Sequence, residues 1–315
     1  MKVLTDSSAA ALGAAPVAAG AAGAAAQGTR AGWRTVLGIF KLRIGVLIMV
    51  TALGGYAAMP AGAATGLQVF VMALGVLVAA AAAGAFNQFV EADSDRLMPR
   101  TRGRAFASGA LPRSAGWLAL IGLMLAAAVA ASAWFVNPVA AGFTLAGALT
   151  YAGVYTLGLK RRTAWNIVIG GLSGSFAVLA GAAAASPALG PGAWALALVL
   201  FLWTPPHFWS LAIANEAEYR AAGVPMLPVV VGPARAARIV HANAMVLVAA
   251  SLLPLACGAG WVVAVGALAG GAHFLRKTHA LARAPGRKTA LGAFFASMVQ
   301  LSVLLAAVVV DAAMR

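Results

Sequence analysis

Five of the seven acidic residues fall in two short windows, Glu91/Asp93/Asp95 and Glu216/Glu218. If one helix runs through Asn87-Gln88-Phe89-Val90-Glu91-Ala92-Asp93-Ser94-Asp95, then Asn87, Glu91 and Asp95 recur at every fourth position and line one face. Carboxylates this close repel, and holding them together at a membrane border is costly unless a cation lies between them. Oxygen-only ligands suit the hard ion Mg²⁺, which takes one or two carboxylates and completes its shell with water and phosphate oxygens. Asp93 lies off the stripe and is either a further metal ligand or an orienter of its neighbours. Arg96, Arg100, Arg102 and Arg104 follow the first window, and Lys160-Arg161-Arg162 fall on the same side of the membrane; both groups can bind non-bridging phosphate oxygens. Loop topology alone accounts for such cations. It does not account for the acids, which contribute little to topology.

A second anomaly is Phe201-Leu202-Trp203-Thr204-Pro205-Pro206-His207-Phe208-Trp209, inside an otherwise apolar stretch. The paired prolines should break the hydrogen-bond ladder in mid-membrane, which is tolerated where the freed carbonyls face protein, water or ligand. His207 could ligate an iron, act as a base, or hydrogen-bond a loosened carbonyl. Gly170 and Gly174, one helical turn apart, are explained by close helix packing. The segment Gly223-Val224-Pro225-Met226-Leu227-Pro228 is rigid and suits a lid or a re-entrant turn. His241, His273 and His279 fall near or in basic loops, where solvation explains them.

The elements that must position these residues follow from composition. The chain of 315 residues is 63% hydrophobic and only 9% charged, against roughly 45–50% and 25% in soluble domains. A soluble globule is excluded, and the fold class is an all-α polytopic membrane protein. Apolar stretches at 44–58, 67–90, 117–136, 139–158, 164–186, 193–214, 239–256, 259–275 and 291–311 give about nine transmembrane helices in one bundle. Each approaches the length needed for about 30 Å of hydrocarbon. Residues 1–29 are an Ala/Gly-rich tail without the compact Leu/Val core of a signal peptide, read as a disordered cytoplasmic arm preceding a membrane domain over 30–315. The single cysteine, Cys257, excludes an intramolecular disulfide and a multi-cysteine metal site.

The net charge of +15, from 22 Lys and Arg against 7 Asp and Glu, would raise nucleic acid in a soluble chain, but here it reports topology, and no nucleic-acid partner is expected. Basic residues precede the first span and follow the second, fourth, sixth and eighth; beyond these, only Arg315 lies elsewhere. The positive-inside rule then places the N-terminus in the cytoplasm and the C-terminus outside.

The run from Asn87 through Glu91, Asp93, Asp95, Met98 and Arg100 to Thr101 resembles the Asn-x3-Asp-x-Asp-x-Asp-x2-Met-x-Arg-Thr signature of the UbiA-type membrane prenyltransferases, in the branch that farnesylates protoheme IX. Tyr155-Thr156 through Lys160-Arg161 to Asn166 and Gly170-Gly171 is similar to that branch's central motif. So are Trp203-Thr204-Pro205-Pro206-His207-Phe208-Trp209 and Glu218-Tyr219 with Gly223 to Pro228. The likeness covers about residues 33–310 in order.

The resemblance implies nine helices around a cavity open to the cytoplasmic side of a bacterial-type inner (plasma) membrane. Farnesyl diphosphate and heme b would be the substrates, Mg²⁺ the cofactor and heme O the product, with heme A synthase or an oxidase assembly as a partner. Asn87, Glu91, Asp95 and Glu218 would be the catalytic and metal-binding residues, with Asp93 as a further candidate. Arg100, Arg104, Lys160 and Arg161 would hold diphosphate, and His207 and Tyr219 would contact porphyrin or shape the cavity.

Several positions depart from the pattern. Glu91 stands for the first Asp, Leu42 interrupts a Lys-Pro-Arg, Ala105 stands where Arg-Pro is usual, Ser175 begins a segment that usually contains proline, and Asn215-Glu216 lies where a cation is common. A related prenyltransferase with another aromatic or tetrapyrrole acceptor is the alternative enzyme. A non-catalytic heme assembly factor or a transporter is the alternative from another class.

Overall fold

In the computed structural model, residues 32–60 and 64–315 are described, and all regular structure among them is helical. The expectation of a disordered arm over 1–29 lies outside the described residues. Short α1 (Trp33–Ile39) is bent by 45° against α2 (Leu42–Ala57), and the turn between them puts Lys41 in the left-handed region at φ 48°. The long helices are α3 (Gly66–Val90), α6 (Ala115–Phe135), α7 (Pro138–Leu149), α9 (Leu172–Ala185), α10 (Pro191–Ala214), α13 (Pro233–Ala250), α15 (Trp261–Arg283) and α16 (Arg287–Met314). Short pieces fill the connections at the basic end: α4 (Ala92–Arg96), α5 (Ala105–Ser108), α8 (Asn166–Gly170), α11 (Glu216–Ala221) and α12 (Leu227–Val231). A final short helix, α14 (Leu253–Ala256), extends α13.

Among the described residues, seven helical runs are long and apolar enough to span, or eight if the bent α1–α2 pair is one span, so the expected nine is not confirmed. The helix α15 falls short because His273, Arg276 and Lys277 interrupt its apolar face about four turns in. The seven and the bent pair coincide with expected apolar stretches.

Successive long helices pack as neighbours around a ring, from α2 through α3, α6, α7, α9, α10, α13 and α15 to α16, with α2 also against α9 and α10 against α16. Short connections between antiparallel apolar helices favour this order. Two glycines let α2 and α9 approach closely. A Cβ on Gly55 would overlap the Val178 carbonyl, and one on Gly181 the Ala52 carbonyl. The ring closes at α2 against α16, a thinly packed seam beside the main cavity. Exposed Trp33 and Trp165 lie toward the basic end, while Trp134, Trp194 and Trp261 stand at helix ends on the opposite side. Amphipathic rings favour both interfaces of a bilayer.

The structure corrects three local expectations. The Asn87–Asp95 segment is not one uninterrupted helix, because Glu91 (φ −88°, ψ 5°) divides α3 from α4. The amides of Glu91 and Asp95 still bond to the carbonyls of Asn87 (3.0 Å) and Glu91 (2.8 Å), so the four-residue stacking survives the break. Pro205 and Pro206 do not break α10, which is helical on both sides of them; each removes one ladder donor, and burial against neighbouring helices holds the rest. Of the glycine pair, Gly170 is forced by packing, since a Cβ would meet the Tyr155 ring at 2.8 Å, whereas nothing lies within 4 Å of one on Gly174, which lines the cavity.

Candidate active site

A cavity of 1840 Å³ runs from the basic end down the α2–α16 seam. Its mouth is lined by Lys41, Asn87, Asp95, Arg100, Arg104 and Lys160; its wall by Tyr151, Tyr155, Trp203, His207 and Phe294; its far end by Leu305 and Val309. One end is therefore densely charged and the wall beyond it mainly apolar, with Arg315 at the far limit.

The three residues of the stripe each meet a different cation. Lys41 Nζ donates to Asn87 Oδ1 at 2.5 Å, and Asn87 Nδ2 donates to Thr156 Oγ1 at 3.1 Å. Lys160 Nζ contacts Glu91 Oε2 at 2.5 Å, and Arg104 Nη1 reaches both oxygens of Asp95 at 3.0 and 2.7 Å. Glu91 and Asp95 are almost wholly buried. Carboxylates in that position need partners, because removing one member of a buried pair costs about 3–5 kcal/mol. Arg100 Nη2 lies 3.4 Å from Tyr219 Oη, joining the loop after the first acidic window to the helix carrying the second.

The remaining expected residues sit apart from the cavity wall. Arg161 Nη2 donates to Ser94 Oγ at 2.7 Å. Asp93 is exposed and pairs with Arg96 (3.1 Å) and Arg113 (3.0 Å), away from the mouth. Glu216 pairs with Arg220. Glu218 Oε2 is buried without a hydrogen-bond partner among the described residues.

Sequence reasoning passed over Lys41 as a site residue. It was legible only as one of several basic residues before the first span, and its backbone turn brings it to Asn87. The tyrosine pair was also missed. After α7 the chain continues as a π-helix, Thr150–Leu159, whose wider turns stack Tyr151 on Tyr155 (5.5 Å) and deliver Lys160 to Glu91. Such turns recur at functional sites, but apolar periodicity does not distinguish them from an α-helix.

Metal binding can be judged from the donors present. No three acidic, histidine or cysteine side chains cluster as a metal cage among the described residues. Mg²⁺ seldom needs one, because it is commonly held by one or two carboxylates and substrate phosphates. Hard oxygens on Asn87, Glu91 and Asp95 suit an ion that arrives with phosphate ligands, and Glu218 Oε2, though unpartnered, lies outside the cavity lining.

The UbiA prenyltransferase family model matches residues 48–300. The chain belongs to this family. A relative from Paramagnetospirillum magneticum, protoheme IX farnesyltransferase 2, is 54% identical over 279 residues, covering 88% of this chain and 96% of that protein. The protoheme IX farnesyltransferase of Azotobacter vinelandii is 41% identical over 291 residues, covering 91% and 96%.

Among solved structures, one from work on digeranylgeranylglyceryl phosphate synthase superposes with a TM-score of 0.73 at 17% identity, over 90% of this chain and 99% of that one. A UbiA homolog from Archaeoglobus fulgidus bound to GPP and Mg²⁺ gives 0.66 at 14%, over 86% and 99%. At such identities the likeness speaks for the UbiA fold alone. The protein is thus a multi-pass membrane enzyme, a UbiA prenyltransferase with protoheme IX farnesyltransferases among its relatives.

Proposed function

We propose that this enzyme transfers the farnesyl group of farnesyl diphosphate to a vinyl group of heme b, giving heme O. The observation that carries the reading is the cavity's division into a cationic mouth over a long apolar wall. That division matches a substrate with a diphosphate at one end and an isoprenoid at the other. The names of the relatives at 41–54% identity favour heme as acceptor.

The electron pair of the bond between farnesyl C1 and oxygen leaves with diphosphate. Lys41, Arg100, Arg104 and Lys160 receive the charge that develops there, and preorganised donors of this kind are worth about 2.7–4 kcal/mol each. Bound Mg²⁺, held by Asn87, Glu91, Asp95 and Glu218, would supply Lewis-acid neutralisation of the leaving group. Tyr151, Tyr155 and Trp203 line the wall beyond and face the allylic cation with aromatic surface. The terminal vinyl carbon bonds to farnesyl C1, water adds to the adjacent carbon, and water's proton is released. The apolar wall limits premature capture of the allylic cation by water.

The acids' present partners suit this cycle, since a diphosphate entering the mouth would offer Arg104 and Lys160 new oxygens and leave the carboxylates of Asp95 and Glu91 free to hold a divalent ion. Arg161 supports the site through Ser94, and Asp93 ties its surface loop to Arg96 and Arg113. Tyr219 holds Arg100.

The basic end is assigned to the cytoplasm of a bacterial-type inner membrane, with the N-terminus there and the C-terminus outside. Residues 30–315 form the catalytic unit after a tail over 1–29. The lipid-facing seam offers the product to a membrane-embedded heme A synthase or oxidase assembly.

Purified protein in lipid nanodiscs, given farnesyl diphosphate and Mg²⁺, should consume the diphosphate at a rate that depends on added heme b. Heme-independent transfer to another aromatic acceptor would replace the acceptor assignment while keeping the mouth's role.

A further inference from the structure

His207 is held in a manner that the prenyl-transfer chemistry at the mouth does not require. Its ring lies between Trp203, with centroids 4.2 Å apart and planes 20° apart, and Phe294, at 4.5 Å and 29°. Both faces are covered, so only the ring's edge remains to act. Nδ1 lies 2.7 Å from Ser297 Oγ. That hydroxyl donates its one proton to the Phe294 carbonyl at 2.6 Å, and the Ser297 carbonyl receives the Trp203 indole N–H at 2.8 Å.

The tautomer follows from these bonds. A carbonyl can only accept, so the Ser297 proton is committed to Phe294, and toward His207 the hydroxyl can only accept. Nδ1 therefore carries the proton of the neutral ring, and the Nε2 lone pair is free. Nε2 has no hydrogen-bond partner among the described residues, and His207 lines the cavity. Unlike Trp209 Nε1 and Glu218 Oε2, it is not sealed from the cavity space. A histidine whose Nδ1–H is anchored by a second residue, with its ring clamped and Nε2 open, has the arrangement of a metal ligand.

We infer that His207 Nε2 is an axial ligand to the iron of the tetrapyrrole acceptor, and that Ser297 is the positioning residue that fixes its tautomer. This rests on the proposal that the acceptor is heme. Ligation would anchor the macrocycle against the α10–α16 wall while its periphery faces the farnesyl donor. Phe208 and Met298 complete an apolar lining beside the ligand, where the Thr204 hydroxyl is bonded to the Leu200 carbonyl.

The test is optical and electron paramagnetic resonance titration of the purified full chain in nanodiscs with heme b, without farnesyl diphosphate. The native chain should show histidine-ligated iron. His207→Ala should lose that signature and regain it with added imidazole, and His207→Met should convert it to a thioether-ligated one. Ser297→Ala should keep the histidine signature but bind heme about 10–100-fold more weakly, and Ser297→Thr should restore binding.

Bound heme without histidine ligation in the native chain would overturn the inference even if no variant folds, as would an unchanged signature in His207→Ala. Either result leaves the prenyl-transfer reading intact if heme is still farnesylated. A native chain that neither binds nor farnesylates heme, yet transfers farnesyl to another acceptor, would remove the heme assignment and the ligand together.

Discussion

The two ends of this molecule solve opposite problems. At the basic end the helices are short and broken, and two buried carboxylates are each matched to a cation: Glu91 to Lys160, Asp95 to Arg104. Toward the other end, alanines and glycines let long helices approach until backbones touch, as Gly55 does with Val178 and Gly181 with Ala52. The bilayer supplies the apolar surroundings for long spans, whereas a paired acid at its border needs a specific neighbour. Substitutions at the basic end should therefore lower kcat per folded molecule, whereas substitutions in the packed half should lower stability and leave kcat per folded molecule near native.

The largest effect is expected for Asp95→Asn. It removes a carboxylate from the mouth and leaves Arg104 without its partner, and kcat for prenyl transfer should fall by about 10²–10³-fold. Steady-state kinetics on the purified variant check this, and a near-native kcat would mean the charged mouth is not where the leaving group is stabilised. Lys41→Met should lower kcat by about 10²-fold while the helical circular dichroism spectrum stays native. Loss of helical signal instead would make Lys41 a structural brace.

Gly181→Val sharpens the comparison from the other side. Its added carbons meet the Ala52 carbonyl, so thermal stability in detergent should drop by an amount equivalent to about 1–3 kcal/mol, with activity per folded molecule near native. Asp93→Asn should do least. Its ion pairs with Arg96 and Arg113 are exposed, with 60% of the Asp93 side chain accessible, and such pairs contribute about 1 kcal/mol or less. A severe loss of turnover in Asp93→Asn would return this residue to the candidate metal ligands.

Much of this division is legible in the sequence. Apolar runs locate the helices because a membrane span needs an unbroken stretch of suitable length, and the spacing of Asn87, Glu91 and Asp95 survives even where the helix does not. The failures are local. Nothing in Lys41-Leu42-Arg43 announces a left-handed turn at Lys41, since that conformation is imposed by where α1 and α2 must lie.

Pro205-Pro206 reads as a break, yet tertiary packing keeps α10 helical. The π-helix over Thr150–Leu159 shares the composition of its α-helical neighbours. At α15 the apolar run gives way to His273, Arg276 and Lys277, so length and composition do not confirm this 23-residue helix as the ninth expected span. The clamp on His207 is contributed by α10 and by α16, a seam no local pattern encodes. Its separation of 90 residues from Ser297 shows why only the folded chain reveals it.

The proposed heme farnesylation requires the cationic mouth and apolar wall to act together despite Glu91 standing where the family pattern has Asp. Mass analysis of hemes extracted from a host lacking its own heme O synthase, expressing the native chain or Glu91→Asp, tests it most directly. Hydroxyethylfarnesyl heme is expected with the native chain, which would show the longer carboxylate to be competent. Unmodified heme b alone from both proteins, expressed and folded in the membrane, would contradict it.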